Sequence, residues 1–282
     1  MVSATALAAE DSDLETLETS DEARAWEAVG RLDIGGVGFC TGAMISERVV
    51  LTAAHCLYDR DTGEKIDPSQ IEFRAGWREG NAQAYRMVRR AVAHPDYVYD
   101  EAVSAERVKN DVALLELEQP IRNGRIKPFT IADRPQKGER VGVVSYARHR
   151  SEAPSLQDTC RVMARQLGML VLSCDVDFGA SGSPVFTYER GVPQIASVVS
   201  AKADVRGQDV ALGTSLQTEL TALRTAFDSG GGFHQVPPPQ IRRVGETSGT
   251  SSASPASSVR APAGAFVGST GGASSSAKFV RP

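Results

Sequence analysis

Three short stretches of this chain carry side chains that can act together on an acyl group. They are Leu51-Thr52-Ala53-Ala54-His55-Cys56, Asn110-Asp111-Val112-Ala113-Leu114-Leu115 and Gly179-Ala180-Ser181-Gly182-Ser183-Pro184. A serine hydroxyl is a weak nucleophile near neutral pH and needs a base placed to take its proton. Imidazole suits the task because its unperturbed pKa lies near ~6.5. A buried carboxylate then fixes the tautomer of that base and stabilises the imidazolium. His55, Asp111 and Ser181 supply the three groups, in the chain order His, Asp, Ser. Glycine at 179 lets the backbone turn so that the amides of Gly179 and Ser181 converge on a developing oxyanion. The other histidines (His94, His149 and His234), like Asp96 and Asp100, stand in no comparable context.

Groups gathered from positions so far apart need a rigid frame. Between Trp26 and about Ala226 the chain reads as short apolar or alternating runs separated by Gly, Pro and Asp. In the first half this pattern predicts strands at 28–32, 38–45, 49–52, 71–75, 85–93 and 111–117. In the second half it predicts strands at 140–146, 160–165, 170–174, 184–188, 194–201 and 210–212. Six and six such strands, with no helical pattern between them, give an all-β class, and the linker falls near 119–138. Thr214 to Phe227 is the one clear helix, with Leu216, Leu220, Leu223 and Phe227 on one face and a cap at Thr214 or Ser215. No internal repeat is visible.

Composition bounds the rest. The 282 residues are 41% hydrophobic, enough for a core or two. From about Gly230 the chain turns to Gly, Ser, Ala and Pro, which lack the apolar surface to offset ordering entropy, so 229–282 reads as a disordered tail. A net charge of −4 and a pI near 5.7 exclude nucleic acid as the main partner. Arg86, Arg89 and Arg90 read as a solvated strand face. No apolar run approaches the ~20 residues needed to cross a membrane. Residues 1–25 read as a residual export signal (Ala6-Leu7-Ala8 without a basic start) followed by an acidic lead or pro-segment from Glu10 to Glu22.

Cysteine usage points to an oxidising compartment. Cys40 and Cys56 flank a strand pair ending at His55, and Cys160 and Cys174 flank a hairpin turn at Gln166-Leu167-Gly168. A zinc site would need CxxC or HxxxH spacing, which is absent, so two local disulfides and a secreted or periplasmic protein are expected.

From Trp26 to Phe227 the chain, through its three motifs, resembles the trypsin/chymotrypsin-like serine endopeptidases. The resemblance implies two six-stranded antiparallel β-barrels with a C-terminal helix: barrel one over about 26–125, barrel two over about 136–213 and the helix over 214–227, closing the second barrel. It implies His55 as base, Asp111 as orienting carboxylate, Ser181 as nucleophile and Gly179 with Ser181 as oxyanion hole. It also implies a Cys40–Cys56 staple, protein or peptide substrates, no metal and no organic cofactor. A monomer is expected.

The departures from the family pattern are informative. Ala180 stands where animal digestive members carry the aspartate that receives a new N-terminal amine, and Val29-Gly30-Arg31-Leu32 only loosely echoes their activation sequence. The Ser-Gly-Ser-Pro ending resembles bacterial members. In the expected specificity pocket, Asp175 aligns with the acid that attracts Arg or Lys in trypsin. Val199 stands where glutamate-cleaving relatives often have histidine. Ser200 to Lys202 form the pocket edge, and Lys202 can pair with Asp175 or Asp177. Two readings follow: a serine endopeptidase, preferring basic residues before the scissile bond, and a catalytically inactive binding protein on the same fold. An α/β-hydrolase would need a Gly-x-Ser-x-Gly elbow, which is absent.

Overall fold

The computed structural model describes residues 14–36, 38–100, 102–205 and 207–234, together with the backbone of 278–280. The lead before residue 14 and most of the Gly/Ser-rich tail (235–277) lie outside the described residues. Strand β1 (Glu15–Thr16) and a helical turn, α1 (Ser20–Ala23), precede the first barrel. Leu17 is buried, so the end of the expected lead is part of the folded body.

The first barrel comprises β2 (Val29–Ile34), β3 (Gly38–Met44), β4 (Val49–Thr52), β5 (Ile71–Ala75) and β6 (Ala84–Ala93), then helix α2 (Ala105–Asn110) and β7 (Ala113–Leu117). Its antiparallel order is β6-β5-β2-β3-β4-β7, and a β6–β7 pairing closes it. The second barrel comprises β8 (Arg140–Ala147), β9 (Arg150–Gln166), β10 (Met169–Leu172), β11 (Pro184–Glu189), β12 (Val192–Val205) and β13 (Gln208–Ser215). Its order is β9-β10-β13-β12-β11-β8, closed by β8 on β9. Helix α3 (Leu216–Asp228), β14 (Phe233–His234, on β6) and β15 (Lys278–Val280, on β12) complete the described chain. The last two strands give ordered backbone inside the segment that composition assigns to a disordered tail.

The barrels share one apolar cluster. Phe129 of the linker packs on Phe186 of β11 with ring centroids 4.7 Å apart, and Trp26 lies 4.9 Å from the same ring. The linker is also stitched by backbone: Phe129 N–H donates to Met44 O (2.9 Å) in the first barrel, and Ala132 N–H to Ile195 O (2.8 Å) in the second. The linker is thus hydrogen-bonded to both barrels.

Helix α3 starts two residues later than its pattern predicts, because Thr214 and Ser215 pair with β10 and β12 as the end of β13. Its stripe of Leu216, Leu220 and Leu223 joins the cluster that fills the first barrel rather than sealing the second alone. Arg90 accounts for this: its guanidinium lies 4.2 Å from the Phe227 ring centroid and donates to Phe227 O (2.9 Å) at the helix C-terminus. Arg90 also donates to Glu116 (2.8 Å), which Arg89 shares, so this member of the expected solvated face is buried and paired.

Candidate active site

His55 lies in a 3-10 turn, Ala54–Leu57, that leaves the end of β4. The Cys40–Cys56 disulfide ties this turn to β3, and Cys160–Cys174 ties β9 to the loop after β10. Both sulfurs beside His55 are spent in that bond, so they offer no thiolate to a metal.

Asp111 is not on a strand, as its motif suggests, but caps the C-terminus of α2. That helix begins at Ser104, whose hydroxyl accepts from Arg107 N–H (3.1 Å). Thr214 of β13 fixes the other end by donating to Val108 O (2.6 Å) and Asp111 O (3.1 Å). The carboxylate is completely buried and takes hold of the histidine twice: His55 N–H donates to Oδ1 (2.8 Å) and Nδ1 lies 2.7 Å from Oδ2. Ser200 Oγ donates to Oδ2 as well. Burial pushes the Asp111 carboxyl up, but His55 and these hydrogen bonds outweigh it and hold it below the ordinary carboxylate range.

Ser181 enters from the second barrel. Its carbonyl accepts from Thr41 N–H (2.8 Å), next to Cys40, so the serine loop is pinned to the strand that carries the histidine staple. Gly182 abuts Thr52 and Ala53 so closely that a Cβ there would overlap Thr52 Oγ1 and Thr41 O, and its φ of +79° also calls for glycine. Ser181 Oγ and His55 Nε2 are both buried and make no hydrogen bond among the described residues. These are the two atoms that nucleophile activation requires to be uncommitted elsewhere.

The turn before the serine has φ +95° at Gly179, where a Cβ would run into the Phe39 ring. Ala180 N–H is taken by Asp177 O (2.9 Å) and Gly182 N–H by Val199 O (2.8 Å). The amides of Gly179 and Ser181, which alternate with these two, make no backbone hydrogen bond among the described residues. Thr41 Oγ1 donates to Gly179 O (3.0 Å) and accepts from Tyr146 N–H (3.0 Å), so one hydroxyl of the first barrel sets this turn. Ala180 is buried in the second-barrel core.

The residues expected to form the specificity pocket do not all share one wall. Val199 is wholly buried in the core of the second barrel with Val176, Ala180 and Val185, so it packs inside rather than facing a substrate. Ser200, expected at the pocket edge, lines a small cavity with His55, Tyr99 and Ala201 and also carries the bond to Asp111. The Asp175 side chain is half exposed, and Lys202 Nζ lies 3.9 Å from it and 2.8 Å from Asp209. The hydrogen bond to Asp209 heads the causes that raise the Lys202 pKa.

A model of the trypsin family matches residues 17–216. The chain belongs to the trypsin family. Among its relatives, mouse cathepsin G is 32% identical over 117 residues, 40% of each chain. A trypsin of Phaedon cochleariae is 33% identical over 105 residues, 36% of each chain. The glutamyl endopeptidase of Bacillus licheniformis is 25% identical over 176 residues, 62% of this chain and 53% of that protein. The chain thus spans about half or less of the length of these relatives. In fold it is similar to a Glu endopeptidase solved in complex with MPD, with TM-score 0.64 and 15% identity over 78% of this chain and 98% of the other. The neighbour supports the trypsin-family double barrel. Sequence reading missed Thr41 and the orienting role of Ser200. A lone hydroxyl in a strand gives no signal until register brings it to its partner.

Proposed function

We propose that this chain is an exported serine endopeptidase. The observation that carries the reading is the double grip of Asp111 on His55, through its backbone amide and Nδ1. That grip leaves Nε2 as the proton-accepting nitrogen and directs it away from the carboxylate. Ser181 Oγ attacks a peptide carbonyl carbon while His55 Nε2 takes its proton. The carbonyl oxygen becomes an oxyanion and accepts from the amides of Gly179 and Ser181, where each such donor contributes about 3 kcal/mol. The tetrahedral adduct collapses, the C–N bond breaks, and the leaving amine takes the proton back from His55. Water, deprotonated by His55, then hydrolyses the acyl-serine and restores the hydroxyl.

Activity needs no cut before Val29. That residue is the buried first residue of β2, paired opposite Ala43, and its carbonyl accepts from Gly76 N–H (2.9 Å). A free amine there would have to tear the strand out, and Ala180 offers it no carboxylate. Thr41 holds the oxyanion turn instead. Two disulfides support a secreted or periplasmic setting. The preference for a basic residue before the scissile bond rests on Asp175, whose field Lys202 partly neutralises.

A fluorophosphonate probe tests the reading. The uncut chain is expected to be labelled at Ser181, and Ser181→Ala is expected to lose both labelling and peptidase turnover. Absence of labelling in the folded wild-type chain would favour a non-catalytic binding protein.

A further inference from the structure

Strand β12 has one edge paired with β13 along its whole outer half, from Ser197 to Val205. The opposite edge is handed from partner to partner. Residues 192–198 pair with β11, and Val199 exchanges hydrogen bonds with Gly182 and Ser183 (2.8 and 2.9 Å). Ser200 and Ala201 then line the cavity beside His55, and Lys202–Asp204 pair with β15. A single strand edge therefore runs from the nucleophile loop, past the cavity, to the C-terminal strand.

The register of that last pairing is antiparallel: Lys278 opposite Asp204, Phe279 opposite Ala203 and Val280 opposite Lys202. Each successive residue of β15 thus lies one step nearer Ser200. An extended peptide laid along this edge to present a bond to Ser181 would use the same backbone groups of Lys202–Asp204. We infer that residues 278–280 are a built-in competitor for the extended substrate strand, occupying the outer part of the β12 edge in cis. The inference rests on the protease reading for its consequence, though not for the docking itself.

The tether permits it. Between His234 and Lys278 lie 43 residues, a maximum reach of roughly 140 Å at about 3.3 Å per residue. Because competitor and edge share one chain, the competition is intramolecular and does not weaken on dilution.

The test compares the full-length chain with the full-length double variant Phe279→Pro/Val280→Pro, since proline has no N–H for the ladder. With a tetrapeptide substrate the variant is expected to show KM at least threefold lower and kcat unchanged. A synthetic peptide of residues 274–282 should inhibit the variant competitively. Equal KM values, or no inhibition by the peptide, would overturn the inference. Should the variant fail to fold, hydrogen exchange on the wild-type chain decides. Those amides of 278–280 that point at β12 should be protected, and should lose protection once a tetrapeptidyl phosphonate on Ser181 fills the edge; absence of any protected or responsive amide there would overturn it. If Ser181 takes no probe, the protease reading has failed. Anisotropy of the labelled 274–282 peptide on the double variant then still measures docking, and no binding refutes it.

Discussion

Ser200 donates its hydroxyl to Oδ2 of Asp111, the same oxygen that faces His55 Nδ1. A buried carboxylate with three donors is locked in orientation as well as in charge, and the strand supplying the third donor is the one proposed to bind substrate. Removing it with Ser200→Ala forfeits a hydrogen bond to a charged group, about 1.5–3 kcal/mol. The expected loss in kcat/KM is therefore roughly 10- to 150-fold. Asp111 is held below its ordinary range, so its contribution is present above the unfolded value and lost as pH falls through the folded one. Without Ser200 that depression shrinks, and the acid limb of the activity profile should move to higher pH, with Ser200→Thr restoring it. A uniform loss at every pH would mark Ser200 as a packing residue only.

If Asp175 receives a substrate cation, as proposed, Lys202 competes with that cation for it. Replacing it with alanine should raise the ratio of kcat/KM for Arg or Lys over neutral residues about two- to fivefold, the scale of an exposed ion pair worth up to ~1 kcal/mol. A cleavage profile of Lys202→Ala that gains no basic preference would remove Asp175 from the specificity argument.

Gly182 is a point of close contact between the two barrels beside the nucleophile. Gly182→Ala must displace both the Thr52 hydroxyl and the Thr41 carbonyl and hold a side chain at φ +79°. A destabilisation of roughly 1–3 kcal/mol follows, or about 3–10 °C in melting temperature for a chain of this size. Calorimetry giving wild-type stability would contradict the packing described.

Strands β4 and β5 match their sequence pattern to the residue, because their short apolar runs are bounded by turns and buried on at least one face. Strand β9 starts ten residues before its expected beginning. Its first part, around Pro154, Ser155 and Gln157, is buried without being hydrophobic, so periodicity could not reveal it. Helix α2 is six residues long, too short for a helical period to emerge, yet it delivers Asp111. His55, Asp111 and Ser181 could be singled out from sequence because each sits in a run of particular neighbours, and the structure brings His55 and Asp111 into hydrogen-bond contact. Thr41 could not be singled out, because its task arises from pairing across 105 and 138 positions.

His94 offers a pH handle on stability. Burial lowers its pKa, against the pull of Glu219, whose Oε2 lies 3.4 Å from Nε2. The unfolded chain therefore binds a proton that the folded chain resists. Stability should be full above the unfolded value of about 6.5 and decline as pH drops below it. Urea unfolding at pH 7.5 and 5.5 should show this loss in the wild type and a smaller one in His94→Gln. Equal pH dependence in both would sink the assignment.

The aromatic contact of Trp26, Phe129 and Phe186 sets an order of events during synthesis. A ribosome that has released every strand of the first barrel has still not made the ring that covers its core. Phe186 arrives about seventy residues after β7 ends, so the early half waits, partly uncovered, for the later one. Closure of this cluster is a long-range event of the kind that slows folding, and an N-terminal fragment ending in the linker should be prone to aggregation.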